Sequence, residues 1–231
     1  GHTESITAAA GWDCDTAGIK IKGMGENDLR PTITLSTANT ADIDIDAANV
    51  TFENLVFVAN FLDIAAAIDV NADGFTARRC EFRDTSTILC ATIWILGATG
   101  TTSDRIVVEQ CEFYQPGAAN THAISLPGTS DRCRINDNFI VGFFETAAIG
   151  AAGAVTQIQI MRNFIQNTDT DADACISLAA SSTGGVAYNN VGAALAADAT
   201  TNINCSTGVV LIENYSVDTG DRQGVLDPVA T

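Results

Sequence analysis

The chain is poor in basic residues, aromatics and proline. Only 11 of its 231 residues are Lys or Arg, against 28 Asp and Glu, giving a formal charge of −17. Nucleic-acid binding needs a basic footprint that displaces counterions, and none is supplied. Anionic membranes and acidic polysaccharides are repelled at long range. Aromatics make up 6% and charged residues 17%, with 4 Pro and 19 Gly. No run of 18 apolar residues exists, so no membrane-spanning helix is predicted. Residues 1–11 have neither the basic n-region nor the apolar core of a signal peptide. Lacking Met, they read as a processed or trimmed beginning. What is present is 46% hydrophobic and rich in Ala, Thr, Ile, Val and Asn, which suits strands better than helices. The length fits one elongated domain.

Chemical motifs are equally sparse. The seven cysteines are odd in number and include no C-x-x-C pair, which argues against a zinc knuckle. Buried free thiols are expected in a chain with this much apolar residue. His2 and His122 are far apart and lie in no Ser/His/Asp or H-E-x-x-H context. There is no P-loop, and the Gly23–Met24–Gly25 phrase reads as a turn because no helical pattern follows it. Exposed aromatics suited to sugar stacking reduce to Trp94 and Tyr114, and Tyr114 reads as cover for the core edge.

The informative signal is repetition. "GFTARRCEF" and "RIVVEQCEF" both end in Cys-Glu-Phe, 31 residues apart. Aligned on that phrase, Met24, Leu55, Cys80, Cys111, Asn138, Asn163, Asn189 and Asn214 form one column. Apolar residues recur three places before it (Ile21, Phe52, Ala77, Val108, Ile135, Ile160, Val186, Leu211). Others recur two places after it (Phe57, Phe82, Phe113, Ile140, Ile165, Val191). A second column holds Trp12, Ile43, Ile68, Ile93, Ile124, Ile149, Ile176 and Ile203. Period-two alternation around a fixed corner describes strand, bend, strand. Periods of about 25–31 residues without leucine-rich or helical phrases predict an all-β, right-handed parallel β-helix of about eight coils. The repeat spans 1–220, and 221–231 is a C-terminal tail or cap. In the corner column, Asn bonds to the bend and to the Asn above and below, while Cys fills the same niche. Longer coils carry extra loops, at 25–31 and 97–105, of the kind that often bear function.

One cluster could carry chemistry. Asp13, Asp44 and Asp69 sit mid-strand on successive coils, facing outward, and the same row continues as Trp94, Ser125, Gly150, Ser177 and Asn204. Stacked about 5 Å apart, the aspartates call for a structural divalent cation, shared protons or simple solvation. Paired acids also serve glycoside cleavage, but three equivalent carboxylates offer no way to split acid from base. No catalytic or metal residue is therefore assigned.

The opening "GHTESI", the turn "KGMGENDLRPT" with Arg30–Pro31, and coils such as "NVTFENLVFVAN" together resemble pectate-lyase-like β-helix proteins of tailed bacteriophages. The resemblance covers nearly the whole chain. It implies a virion structural protein on the external surface of the particle, commonly a homotrimer, contacting other virion proteins such as the capsid shell. The W-x-D-H and R-x-P-x-x-R phrases of true pectate lyases are absent, so lyase activity is not carried over. The expectation is a capsid decoration or head-surface protrusion without enzymatic activity, with no nucleic-acid or membrane partner. The alternative is a tail-spike depolymerase or a protein that binds host surface glycan.

Overall fold

The computed structural model describes residues 1–99, 103–170, 174–194, 202–217 and 225–226. Most of the expected tail at 221–231, and the middle of the 97–105 loop, lie outside the described residues. Among those described, the only helical element is a 3-10 turn at Asn27–Leu29. Short strands of two to six residues make up the remainder of the regular structure.

The strands recur in the same order, once per coil. Sheet 1 stacks Thr3–Ile6, Thr32–Ser36, Val56–Asn60, Glu81–Asp84 and their successors as far as Asn214–Val217. Sheet 2 begins with Trp12–Asp13 and Ile43–Ile45 and ends with Ile203–Asn204. Sheet 3 begins with Lys20–Lys22 and Thr51–Glu53 and ends with Gly208–Ile212. Neighbours within each stack pair in parallel. The molecule is an all-β, right-handed parallel β-helix of about seven turns, with eight strands along sheet 2. Val225–Leu226 pairs antiparallel with Asn214–Val217, which covers the last edge of sheet 1.

The core follows from stacking like on like. One row of sheet 2 runs Trp12, Ile43, Ile68, Ile95, Ile124, Ile149, Ile176, Ile203. Ile43 through Ile176 in that row are fully buried, each contributing about 1.5–3 kcal/mol by burial. On sheet 1, the rings of Phe57, Phe82 and Phe113 stack with centroids 5.1 and 4.5 Å apart. Phe75 meets Phe52 edge-on at 5.5 Å.

Two registers differ from the sequence columns. Ile95, not Ile93, occupies the isoleucine row; Ile93 pairs with His122. Trp94 accordingly turns inward, fully buried, with its ring 5.5 Å from Phe82. Leu96 takes the outward place expected of Trp94. The stretch Ile-Trp-Ile-Leu is apolar throughout, so alternation cannot fix its register. In a later coil the sheet 3 and sheet 1 positions are one residue further on. Ala187 rather than Val186 follows Ile160, and Gly192 rather than Val191 follows Ile165.

The bends are set by backbone conformation. Asn54, Arg79, Gln110, Asp137, Arg162, Asn189 and Glu213 all take positive φ, between 49° and 58°, at the bend from sheet 3 to sheet 1. Asn49, Gly74, Arg105, Arg132, Gln157 and Gly184 do the same at the bend from sheet 2 to sheet 3, five residues earlier in each coil. Only Gly and Asn adopt this region cheaply. The other residues are held there by the coils packed above and below.

Candidate functional site

The corner column sits immediately after the left-handed residue of the second bend. Leu55, Cys80, Cys111, Asn138, Asn163, Asn190 and Asn214 point inward there, each at most 3% exposed. Asn189 is corrected: it is the exposed left-handed residue of its bend, and Asn190 fills the niche. Both are Asn, so composition could not choose between them. Met24 also leaves the column, being 86% exposed on the 25–31 loop side.

The asparagines form a continuous ladder. Asn163 Oδ1 accepts the Asn138 backbone N–H (3.0 Å) and its Nδ2 (2.9 Å). Asn190 Oδ1 does the same for Asn163 (3.0 and 2.9 Å), and Asn214 Oδ1 for Asn190 (3.1 and 2.8 Å). The second amide hydrogen of each reaches a carbonyl inside the preceding coil, Ile135 for Asn163 at 2.9 Å. Cys111 continues the ladder weakly. Its N–H donates to Asn138 Oδ1 at 2.9 Å, and its thiol approaches the Ala77 carbonyl at 3.5 Å. Cys80 makes the matching thiol contact to Phe52 at 3.7 Å. All seven cysteines are free thiols, and burial pushes the Cys111 thiol well up. Cys80 and Cys111 pack the corner niche as the asparagines do.

The aspartate row lies on the outer face of sheet 2. Asp13, Asp44 and Asp69 are in register on three coils. Their environments are unlike, contrary to the expectation of three equivalent carboxylates. Asp13 is exposed while Asp44 and Asp69 are half-buried. Burial, then the charges of Asp42, Asp46, Asp69 and Asp13, pushes Asp44 up to about 6. Burial, then Asp42 and Asp46, raises Asp69. Asp42 is raised by burial and accepts the Ala10 N–H. Asn71 Nδ2 donates to Asp46 Oδ1 at 3.1 Å. The row then runs on through Leu96, Ser125, Gly150, Ser177 and Asn204. Among the described residues, no three His, Cys, Asp or Glu side chains converge as metal ligands. His122 stands apart, its imidazole pushed down to about 4 by burial.

A feature the sequence columns missed lies on the outer face of sheet 1. Phe139, Phe164, Val191 and Tyr215 are in register on successive coils. The two Phe rings stack at 5.1 Å, 7° from parallel. Phe139 is 49% exposed, Phe164 39% and Tyr215 45%. The parallel outward column holds Tyr114, Val141, Gln166 and Ala193. From Phe139 to Ala193 neither column contains a charge. The available signal was the phrase Asn-Phe-Ile, repeated at 138–140 and 163–165. Its Phe lies between two inward positions and must face outward.

Fold and surfaces together define a solenoid protein of the parallel β-helix class. No protein-family model, no curated protein and no solved structure matches the chain.

Proposed function

We propose that the chain is a non-enzymatic structural protein on the external surface of a tailed-bacteriophage virion, assembled there as a homotrimer against other virion proteins such as the capsid shell. The sequence resemblance supplies the setting. Its two more specific segments lie side by side at one end of the rod. Thr3–Ile6 pairs with Thr32–Ser36, and the Thr32 N–H donates to the His2 carbonyl at 2.9 Å. Arg30 is anchored by an ion pair to Glu81.

The observation that carries the assembly is the uncharged aromatic stripe of sheet 1. On a chain of −17, copies repel one another except where charge is absent. The stripe is the uncharged surface that also exposes aromatic rings, and side-by-side contact between three rods would bury it. Size-exclusion chromatography with light scattering should give three times the 24.1 kDa chain mass. The double variant Phe139→Ser, Phe164→Ser should run as a monomer with an unchanged circular dichroism spectrum. A wild-type monomer at high concentration would remove the assembly. Immunogold labelling of purified particles tests the location, and label at the tail tip instead of the head lattice would replace the decoration reading.

The raised Asp44 carboxyl favours a second reading, a glycan-cleaving tail spike in which Asp44 is the proton donor. If purified protein clears capsule and Asp44→Asn with Asp69→Asn abolishes clearing, this reading stands in place of the first.

A further inference from the structure

The cations of this acidic chain are few but segregated. Of its eleven Lys and Arg, four stand on sheet 3 strands and four more at the bends flanking that sheet. Near the N-terminal end they are consumed by carboxylates. Buried Glu53 is ringed by Lys20, Lys22 and Arg79, and Arg78 pairs with Glu109 at 2.5 Å.

Midway along the rod the pattern changes. A groove of about 570 Å³ opens on sheet 3, lined by Arg105, Arg132, Arg134, Gln157 and Gln159, with no carboxylate in its lining. Two columns build it. Thr76, Val107, Arg134 and Gln159 are in register along the strands. Gly74, Arg105, Arg132 and Gln157 follow one another at the first bend. The small Gly74 and Thr76 leave the hollow, and Val107 gives it an apolar floor.

The donors of this groove are largely unspent. The Arg134 side chain is exposed and makes no ion pair or hydrogen bond among the described residues, and the Gln157 and Gln159 side-chain amides make none there. Arg105 meets Asp73 only at 3.4 Å. Arg132 engages Asp131 through Nε at 2.7 Å, which leaves its terminal nitrogens free for another acceptor. The neighbouring aspartates are committed between coils. Asp73 Oδ1 accepts the Asp104 N–H (2.9 Å), Asp104 Oδ1 the Asp131 N–H (2.9 Å), and Asp131 Oδ1 the Thr156 hydroxyl (2.8 Å).

We propose that this groove binds a sugar acid, a single carboxylate carried on a polyhydroxylated ring. A guanidinium fork matches a carboxylate in two parallel hydrogen bonds. The two glutamine amides and the Thr76 hydroxyl suit ring hydroxyls, and Val107 suits the C–H face of the ring. The net charge of −17 selects against polyanions, whereas a single charge can pair directly with Arg134, the one guanidinium of the groove that faces no carboxylate. The site is independent of the virion reading, because it is tested on the isolated protein.

Isothermal titration with methyl glucuronoside should give saturable binding with a Kd of about 1 mM. Methyl glucoside should bind at least about tenfold more weakly, since it lacks the charge-assisted pair. Arg134→Gln should weaken the glucuronoside by at least about tenfold while leaving the thermal melt unchanged, because this side chain has no structural partner. Arg83→Gln, outside the groove, should change nothing. Three outcomes overturn the proposal. They are absence of saturation, an Arg134→Gln variant that binds like wild type, and inorganic sulfate or a short oligothymidylate binding as tightly as the glucuronoside. The last would make the groove a general anion or nucleic-acid site.

Discussion

Replacing Asn163 by Ala should be among the most damaging single changes available in this rod. The side chain makes four hydrogen bonds: it accepts two from Asn138 and donates one each to Ile135 and Asn190. Removing it strands the Asn138 N–H and one Asn138 amide hydrogen inside the core, while the Ile135 carbonyl, on a strand paired with Gln159–Met161, loses only a second donor. Asn190 Oδ1 keeps the Asn163 N–H at 3.0 Å, so it is weakened but not orphaned. Each buried unsatisfied group costs about 1–3 kcal/mol. Two of them set an expected loss of about 2–6 kcal/mol, in the range of broken buried networks. The converse change, Cys111→Asn, should extend the ladder. Its amide would supply Asn138 Oδ1 with a second donor and reach the Ala77 carbonyl that the thiol now approaches at 3.5 Å. One or two added buried bonds at about 1 kcal/mol each make it stabilising by about 1–2 kcal/mol. Urea unfolding followed by circular dichroism, at fixed protein concentration, measures both. The reasoning fails if Asn163→Ala costs under about 1 kcal/mol, or if Cys111→Asn destabilises as much as Asn163→Ala.

Acidity should stabilise the fold over a defined window. Asp44 and Asp84 are both pushed up to about 6, chiefly by burial, above an unfolded value near 3.9. A raised folded pKa means stability that is complete below the unfolded value and lost as pH rises through about 6. The melting temperature should therefore climb between pH 7.5 and 5, and Asp44→Asn should flatten the climb by raising the pH 7.5 value. A melt that instead falls steadily over that interval contradicts the assignment. Phe82→Ala should cost about 3–5 kcal/mol. It removes the middle ring of the Phe57–Phe82–Phe113 stack and a neighbour of Trp94, so an emission shift should accompany the lowered urea midpoint.

The fold was legible because a solenoid writes its cross-section into the chain repeatedly. Column spacing alone pointed to the parallel β-helix. It failed where local chemistry was degenerate. The Asn189–Asn190 pair offers two equally suitable residues, one able to take the left-handed bend and the other the niche. Ile93 to Leu96 offers four apolar residues with no polar one to mark the outside. The surfaces were harder to read. That Asp44 differs from Asp13 depends on burial and on Asp42 and Asp46, flanking residues outside the aspartate row. The aromatic stripe was hidden because each Phe follows an inward Asn by one place, and a single Phe looks like core until its neighbours' directions are known. The arginine groove joins residues 74 to 159, which only stacking brings together.

The two left-handed bends stand five residues apart in six consecutive coils. Whatever the length of a coil, sheet 3 and its corners are drawn to one template, so all variation is pushed into the chain that returns through sheets 1 and 2. The rod thus behaves like a rail with one standardised edge and one open edge. Loops can be lengthened, exchanged or grafted on the open side without disturbing the phase of the coils above or below. An insertion of even one residue between the two bends would turn inward residues outward through the rest of that coil. Lineages of such a chain are expected to diverge along one flank while keeping the other to a fixed gauge.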